Sequence, residues 1–433
     1  MSAGICIMNR NAIALAADSA VTIGNHAAIH NSANKVFSLS RIAPVGIIVY
    51  ADASFMSVPI EIIIKEYRKH LGNKTFPQLQ DYVTDFISYI EKKSEFFHFN
   101  INEQNYIENV VFNLWQGLEI GYKEFGTGKL KSLGRNLNEY ELLEIANAAC
   151  QQTIEYVNSF KKIPTNFYPY LISKYKIHFL EKLKNEKAFS WMSEEQRLEI
   201  VDCSLKLFDT KFERNGYLGI AIAGYGDEEI YPSLFHLHFS GTINGKLRYF
   251  EEETVSISER QFSSITPLAQ TDVMETFLFG INDRFLNDLS REIPIQINKC
   301  INTINDSSFD NEQKQFLQKQ FQTVTNNIIN HMLYTARQDY MRPILESVAT
   351  LPIEELALLS ESMINITSIR RKVALDNNIG TVGGPIDVAI ISKGDGFIWL
   401  KRKHYFDGKY NPQYYYSHFE KKERSYSNYE ENS

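Results

Sequence analysis

Cysteine is scarce in this sequence, and the few cysteines present are not paired. The 433 residues contain four of them, far apart and without a CxxC motif: Cys6, Cys150, Cys203 and Cys300. This spacing excludes a disulfide framework and a zinc site of the usual kind. Cys6 lies in an apolar run, where a free cysteine is usually a small buried hydrophobe, although its thiol is an alternative nucleophile.

Long apolar runs and an excess of one charge are also absent. No stretch approaches the roughly 18 apolar residues of a membrane-spanning helix, and the start lacks the basic and apolar regions of a secretory signal. The 45 basic and 52 acidic side chains give a net charge of -7 and are spread along the chain. A nucleic-acid or membrane partner is therefore not expected. The sequence predicts a cytoplasmic protein and gives no indication of a metal or another cofactor.

Apolar residues make up 44% of the chain and are dense at its beginning. Residues 3–7 and 12–17 are runs of small apolar side chains, separated by Met-Asn-Arg-Asn at 8–11. This pattern predicts two short buried strands joined by a tight turn. The chain is therefore expected to begin inside its own core, although the first residues of a domain usually fray.

Three side chains around these strands form a candidate catalytic set. Ser2 follows Met1, and a side chain this small normally allows the Met to be removed. Ser2 would then carry a free α-amino group with a pKa of about 7.7–8.0, which can accept the hydroxyl proton without a histidine. Lys35 can stabilise the alkoxide, and Asp18 can orient the lysine. Taken singly, Ser2 is a common residue after the initiator Met, Asp18 is an ordinary carboxylate at a strand end, and Lys35 is an ordinary surface lysine.

The order of these residues resembles the proteasome-type N-terminal nucleophile hydrolases, which include the proteasome β subunits and a bacterial two-component protease. That family has a nucleophile at the mature N-terminus, Ala-Ala-Asp or Ala-Gly-Asp closing the second strand, and Lys-Val or Lys-Ile opening the third. This chain has Ser2, Ala16-Ala17-Asp18 and Lys35-Val36 at nearly the same spacing. The family usually has threonine where Ser2 stands. The resemblance implies an α+β fold, a four-layer αββα sandwich, and hydrolysis of peptide (amide) bonds.

Four further positions match the family only loosely. Asp52 stands where a glycine usually holds the oxyanion loop, so backbone N–H groups around it are expected to receive the oxyanion. Thr271 is the nearest match to a serine that supports the nucleophile, and Thr271 or Asp272 is expected to cap a helix that begins there. Asp376 and Thr381 are the nearest matches to a supporting Asp and Ser in a closing Asp-x-x-Ser-Gly-Gly run. The glycines that follow are equally explained by close strand packing.

The remaining pattern divides the chain into a core and two helical insertions. Helices are predicted after Pro59 and after residue 75, near 141–160, from Ser193, over 309–345 and after Pro352, whereas 106–125 is ambiguous between helix and strand. A Ser193-x-x-Gln196 capping box is expected at the start of the fourth of these helices. His236 and His238 share one strand face and could bind a metal, but a structural or solvated pair is the more common explanation. The predicted segments are 1–96 (core), 97–215 (helical insertion), 216–285 (core strands and helix), 286–375 (helical), 376–405 (closing strands) and 406–433 (polar tail).

Three functions remain open on the sequence alone. The first is a peptidase that acts on a peptide or protein. The others are a small-molecule amidase with the same machinery and a non-catalytic, proteasome-like scaffold subunit. The resemblance leaves open a homo-oligomer and an ATP-driven unfoldase as partners. The large insertions favour a cap over the cleft and a dimer over a closed six- or seven-membered ring.

Overall fold

The computed structural model describes residues 3–23, 28–30, 32–213, 216–303, 311–373, 382–403 and 408–413. The strands are β1 Ala3–Asn9, β2 Ala12–Ala17, β3 Val21–Ile23, β4 Ala28–His30, β5 Val36–Ser38, β6 Val45–Ala51, β7 Ser54–Phe55, β8 Val58–Pro59, β9 Leu218–Gly224, β10 Ser233–Ile243, β11 Lys246–Ser256, β12 Ser263–Ala269, β13 Asp387–Ser392 and β14 Gly396–Lys401. The α-helices are α1 Ile60–Leu71, α2 Leu79–Lys92, α3 Phe99–Leu133, α4 Glu139–Asn158, α5 Tyr168–Asn185, α6 Glu194–Lys206, α7 Asp272–Phe279, α8 Asp283–Thr303, α9 Asn311–Thr335, α10 Arg342–Val348 and α11 Ile353–Val373.

Two five-stranded antiparallel sheets form the centre of the fold. The first has the strand order β12-β1-β2-β13-β14, and the second has the order β11-β10-β9-β6-β5. The turn between β1 and β2 is closed by Asn9, whose Oδ1 accepts from the backbone N–H groups of Asn11 and Ala12 at 2.9 and 3.1 Å. The predicted pair of N-terminal strands is therefore confirmed, and both strands are internal to their sheet.

The two sheets face each other across an apolar layer. Met8, Ile13 and Leu15 of the first sheet pack there with Ile48 and Ala221 of the second. The alternate residues of β1 and β2 point to the opposite face and pack against helices. Strands covered on both faces read as continuous apolar runs, because neither set of side chains contacts water. This explains why the first residues of the chain contain so few polar side chains.

Helices cover the outer face of each sheet. Ile63 and Tyr67 of α1 and Phe86 of α2 pack on the second sheet. Met274 of α7 and Met363 of α11 pack on the first. The fold class is α+β, as the sequence predicts, with antiparallel sheets and helices on both outer faces.

The helices between residues 99 and 206 have a core of their own. Trp115 of α3 and Phe179 of α5 are buried in it, and the Trp115 Nε1–H donates to Ser204 Oγ at 3.0 Å. The segment 106–125, ambiguous in sequence, lies entirely within α3. The predicted capping box at the start of α6 is present, since Gln196 N–H donates to Ser193 Oγ at 3.2 Å.

The long helical segment predicted at 309–345 is interrupted. Helix α9 gives way to a π-helical turn at Ala336–Met341, after which α10 resumes regular α-helical bonding. Tyr340 of this turn packs against Gly280, whose φ of 67° ends α7 in a left-handed conformation. A side chain at 280 would both clash with Tyr340 and be strained at that φ. None of the helices in the described parts of the chain is long and apolar enough to cross a membrane.

Candidate active site

The predicted residue Asp18 lies at the end of β2, where it is the centre of a buried hydrogen-bond cluster. Its Oδ1 accepts from the backbone N–H of Ala3 at 2.9 Å. Its Oδ2 accepts from the backbone N–H groups of Gly383 at 3.0 Å and Ala20 at 3.2 Å. The carboxylate side chain is fully shielded from solvent. A buried carboxylate bound by several N–H donors is held in one orientation, so Asp18 is a fixed anionic anchor.

Lys35, also predicted from sequence, is the cation that neutralises this anchor. Its Nζ lies 2.5 Å from Asp18 Oδ1 and donates to the carbonyl oxygen of Ala20 at 2.6 Å. Burial lowers the pKa of Lys35, and the nearby Asp18 opposes that shift. A lysine whose pKa is depressed releases a proton more easily than a surface lysine, and while charged it stabilises a neighbouring anion. The pair can therefore serve either role beside a reacting hydroxyl.

The strand arrangement explains why Asp18 and Lys35 meet. The backbone N–H of Val49 on β6 donates to the Lys35 carbonyl at 2.8 Å, which fixes the residue just before β5. β2 and β5 belong to different sheets, so the ion pair bridges the two sheets at one end of the apolar layer. A pocket of about 200 Å³ opens beside Lys35, and Asp52, Ala53 and Glu61 also line it.

The backbone near Asp52 has an unusual conformation. Ala51 has a φ of 67°, in the left-handed region that non-glycine residues seldom adopt. Such strain persists where the surrounding structure holds it, and it is concentrated at functional sites. Asp52 is exposed, and its Oδ1 accepts from the Ser54 backbone N–H at 3.0 Å. The carboxylate is thus engaged within its own turn, which leaves the backbone of this loop on the pocket wall.

Asp387 and Lys403 are part of the same region, although sequence reasoning did not select them. Asp387 begins β13, where it is the register partner of Ala17, the residue before Asp18. Its carboxylate accepts from the Lys403 backbone N–H at 2.9 Å and forms a buried ion pair with the Lys403 ammonium. Both charges act on the pKa of Lys35, which Lys403 lowers and Asp387 raises. The one sequence signal was an aspartate at the start of β13, shortly after Gly383-Gly384-Pro385.

The residues 383–385 lie against the end of β2. Besides the contact from Gly383 to Asp18, Ser19 Oγ donates to the Pro385 carbonyl at 2.5 Å. Gly384 has a φ of 75°, which favours glycine. The glycine pair therefore contributes a backbone donor to the site in addition to allowing a close approach.

The other predicted site residues fall into two groups. Thr271 occupies the position before α7, but its side chain makes no capping hydrogen bond, so the predicted cap by that residue is wrong. Asp272, the alternative cap, is instead paired with the Arg371 guanidinium. Ser2, Asp376 and Thr381 lie outside the described residues.

The cysteine alternative finds no support in this geometry. Cys6 is fully buried, and burial together with Glu253 raises the pKa of its thiol. A thiol that resists ionisation is a poor nucleophile. In the described part of the chain, His, Cys, Asp and Glu side chains form no group of three that could hold a metal.

Comparison with known proteins leaves the chain without an assigned family. No protein-family model matches it, and no curated protein matches it at a significant level. The class of protein must therefore be argued from the residue pattern and the geometry of the Asp18–Lys35 cluster.

Proposed function

We propose that the chain is a proteasome-like N-terminal nucleophile hydrolase that cleaves peptide (amide) bonds, with Ser2 as the nucleophile after removal of Met1. One observation carries this proposal. A single oxygen, Asp18 Oδ1, accepts from both the Lys35 ammonium and the backbone N–H of Ala3, the residue bonded to Ser2. The contact brings the chain directly after Ser2 against the buried Asp18–Lys35 pair.

The proposed reaction assigns a role to each group. The Ser2 hydroxyl attacks the substrate carbonyl and passes its proton to the Ser2 α-amine, whose ordinary pKa of about 7.7–8.0 suits a base near neutral pH. The Lys35 charge stabilises the alkoxide, and Asp18 holds the lysine in place. Backbone N–H groups around Asp52 receive the oxyanion. When the intermediate collapses, the amide C–N bond breaks and the protonated α-amine gives its proton to the departing amine. Water then hydrolyses the Ser2 ester, which releases the acid product and restores the Ser2 hydroxyl.

The fold is compatible with the proposal. Two facing antiparallel sheets with helices on each outer face match the four-layer αββα arrangement expected of this class. In that comparison, the helical regions α3–α6 and α8–α10 are the two insertions.

A covalent labelling experiment tests the proposal. Intact mass and N-terminal sequencing of the purified chain should first show that Met1 has been removed. A β-lactone probe should then add one acyl group, and peptide mapping should place it on Ser2. Labelling and hydrolysis of a mixed peptide library should be lost in Ser2→Ala and retained in Ser132→Ala, a matched change at an exposed helical serine.

Each outcome has a defined meaning. Retained Met1 in an active protein, or unchanged turnover by Ser2→Ala, would exclude the mechanism. Hydrolysis of small amides but not of peptides would favour the small-molecule amidase over the peptidase. A chain that folds, loses Met1 and still takes up no probe would favour the non-catalytic scaffold.

A further inference from the structure

A second cluster of titratable side chains lies between the sheets, apart from the Asp18–Lys35 pair. His236 and His238, both on the inner face of β10, are buried with 8% of their surface exposed. His238 Nε2 lies 2.8 Å from Tyr50 Oη, and His236 Nε2 also contacts that oxygen. On its other side, His238 Nδ1 lies 2.8 Å from Glu213 Oε2. The predicted histidine pair is therefore joined through a tyrosine rather than through a metal.

The hydrogen bonds orient the rings of this cluster. Because a carboxylate only accepts, Glu213 places a proton on Nδ1 of His238. Nε2 of His238 and Nε2 of His236 both lie within hydrogen-bonding distance of the Tyr50 oxygen. Burial and the neighbouring His238 lower the pKa of His236 to about 4, so this ring is neutral at pH 7. Tyr50 is thereby locked in position.

Gly219 allows Tyr50 to reach the histidines. Gly219 lies between them on the middle strand, as the register partner of both Tyr50 and His238. A Cβ at position 219 would stand 2.1 Å from Tyr50 Cζ, inside the ring. Absence of a side chain here is thus what lets the ring lie across β9.

The cluster forms one wall of a cleft of about 570 Å³. Tyr50 and Tyr217 pack edge to face there, with centroids 6.3 Å apart. Thr271 and Met341 also line the cleft. The volume is typical of small-ligand sites, and the hydrogen-bonded wall is preorganised.

A β-bulge directs two carboxylates into this cleft. His236 pairs with Glu253 and Leu237 with Glu251, so Glu252 is the extra residue on β11. Adjacent strand residues normally point to opposite faces, but both Glu252 and Glu253 line the cleft. Burial, and to a smaller extent the adjacent Glu252, raises the pKa of Glu253.

Among the described residues that line the cleft, none is Lys or Arg. A ligand that brings a positive charge would relieve the repulsion between the two carboxylates and would contact the electron-rich faces of the tyrosine rings.

We propose that this cleft binds an organic cation, a primary ammonium or a guanidinium group, with Glu252 and Glu253 as its charge partners. The cation comes either from a small free amine or from a basic side chain of a peptide. The proposal of a cation-binding site does not depend on Ser2 being reactive.

Calorimetric titration of the full chain with agmatine, which carries both a guanidinium and an ammonium group, tests the proposal. Agmatine should bind, and glutarate, an anion of similar length, should not. Affinity should fall about tenfold in Glu252→Gln/Glu253→Gln, in keeping with the loss of two partly exposed charge contacts. The control Glu194→Gln/Glu195→Gln changes an equally exposed adjacent pair on α6 and should bind as the wild type does.

Two peptides separate the sources of the cation. An acetylated pentapeptide with a central lysine is compared with its norleucine counterpart in the Ser2→Ala background, so that hydrolysis contributes no heat. Preference for lysine identifies a basic side chain as the ligand, and binding of agmatine alone identifies a free amine. Either result supports the site. If neither agmatine nor the lysine peptide binds, or if Glu252→Gln/Glu253→Gln binds with unchanged affinity, the proposed cation site is overturned. The two single Gln variants, at exposed positions, replace the double variant if it misfolds.

Discussion

Replacing Lys35 by methionine tests the ion pair on which the candidate active site depends. Methionine keeps much of the side-chain length but removes the ammonium that lies 2.5 Å from Asp18 and 2.6 Å from the Ala20 carbonyl. Asp18 is then a buried carboxylate with only its backbone donors. Removing one partner of a buried pair costs about 3–5 kcal/mol. Because those backbone donors remain, we expect the lower end, a loss of about 3 kcal/mol in the free energy of unfolding.

The assay is urea unfolding monitored by far-ultraviolet circular dichroism. The transition to analyse is the one that reports the unfolding of the two sheets. Lys65→Met is the matched control, because Lys65 forms an exposed pair with Glu61 at 2.6 Å. Its loss should be below about 1 kcal/mol. Asp18→Asn and the double variant complete a cycle. Since both single changes break the same contact, the double variant should be at least about 1 kcal/mol more stable than the summed losses predict. A loss for Lys35→Met no larger than that for Lys65→Met, or an additive cycle, would refute the reasoning.

Further predictions follow from the same features. Because burial lowers the pKa of Lys35, the unfolded chain binds more protons than the folded chain between that pKa and about 10.4, so stability should rise with pH in this window. Urea midpoints between pH 7 and 9.5 should show that rise reduced in Lys35→Met, and an identical pH slope in both proteins would contradict it. Gly219→Ala should destabilise by about 1–3 kcal/mol or more through its clash with Tyr50, whereas Gly126→Ala, at an open site on α3, should be neutral or stabilising by up to about 1 kcal/mol. Thermal unfolding measures both changes. Equal shifts in the unfolding temperature of the two variants would show that the Tyr50 ring does not occupy the space above Gly219. Light scattering should give a mass of one or two 50.0 kDa chains, since large helical insertions obstruct ring contacts, and a hexamer or larger ring would overturn that expectation.

Local patterns were enough to predict the first two strands and the helices after Pro59 and after residue 75, but not β12 or α5. β1 and β2 followed from continuous apolar runs bounded by a polar turn. The ambiguous segment within α3 could have been settled in the same way, because Ile107, Val111 and Leu118 repeat at helical spacing and are all buried. The break in the 309–345 helix had one sequence signal, Pro343, because a proline removes an N–H donor from the helical ladder directly after the π-helical turn.

The residues of the candidate site were likewise predicted only in part. Asp18 and Lys35 were found because each stands at a strand end whose position the sequence defines. Asp387 could not be found, because it reaches the site only when β13 pairs with β2. The contact of Tyr50 with His238 likewise depends on the order β10-β9-β6 and on a glycine in the middle strand. Strand order is decided by contacts between distant segments, which a single sequence does not record.

The pairing of the first two strands has a consequence for how the chain is made. Ala3 pairs with Ala269 on β12, and Ala17 pairs with Asp387 on β13. At roughly 5–20 residues per second, the ribosome needs on the order of 20–75 s to extend the chain from residue 17 to residue 387. The β1 edge of the hairpin gains its partner once β12 is made, whereas the apolar β2 edge has no partner until β13 emerges and could bind other chains. The first sheet therefore closes only near the end of synthesis.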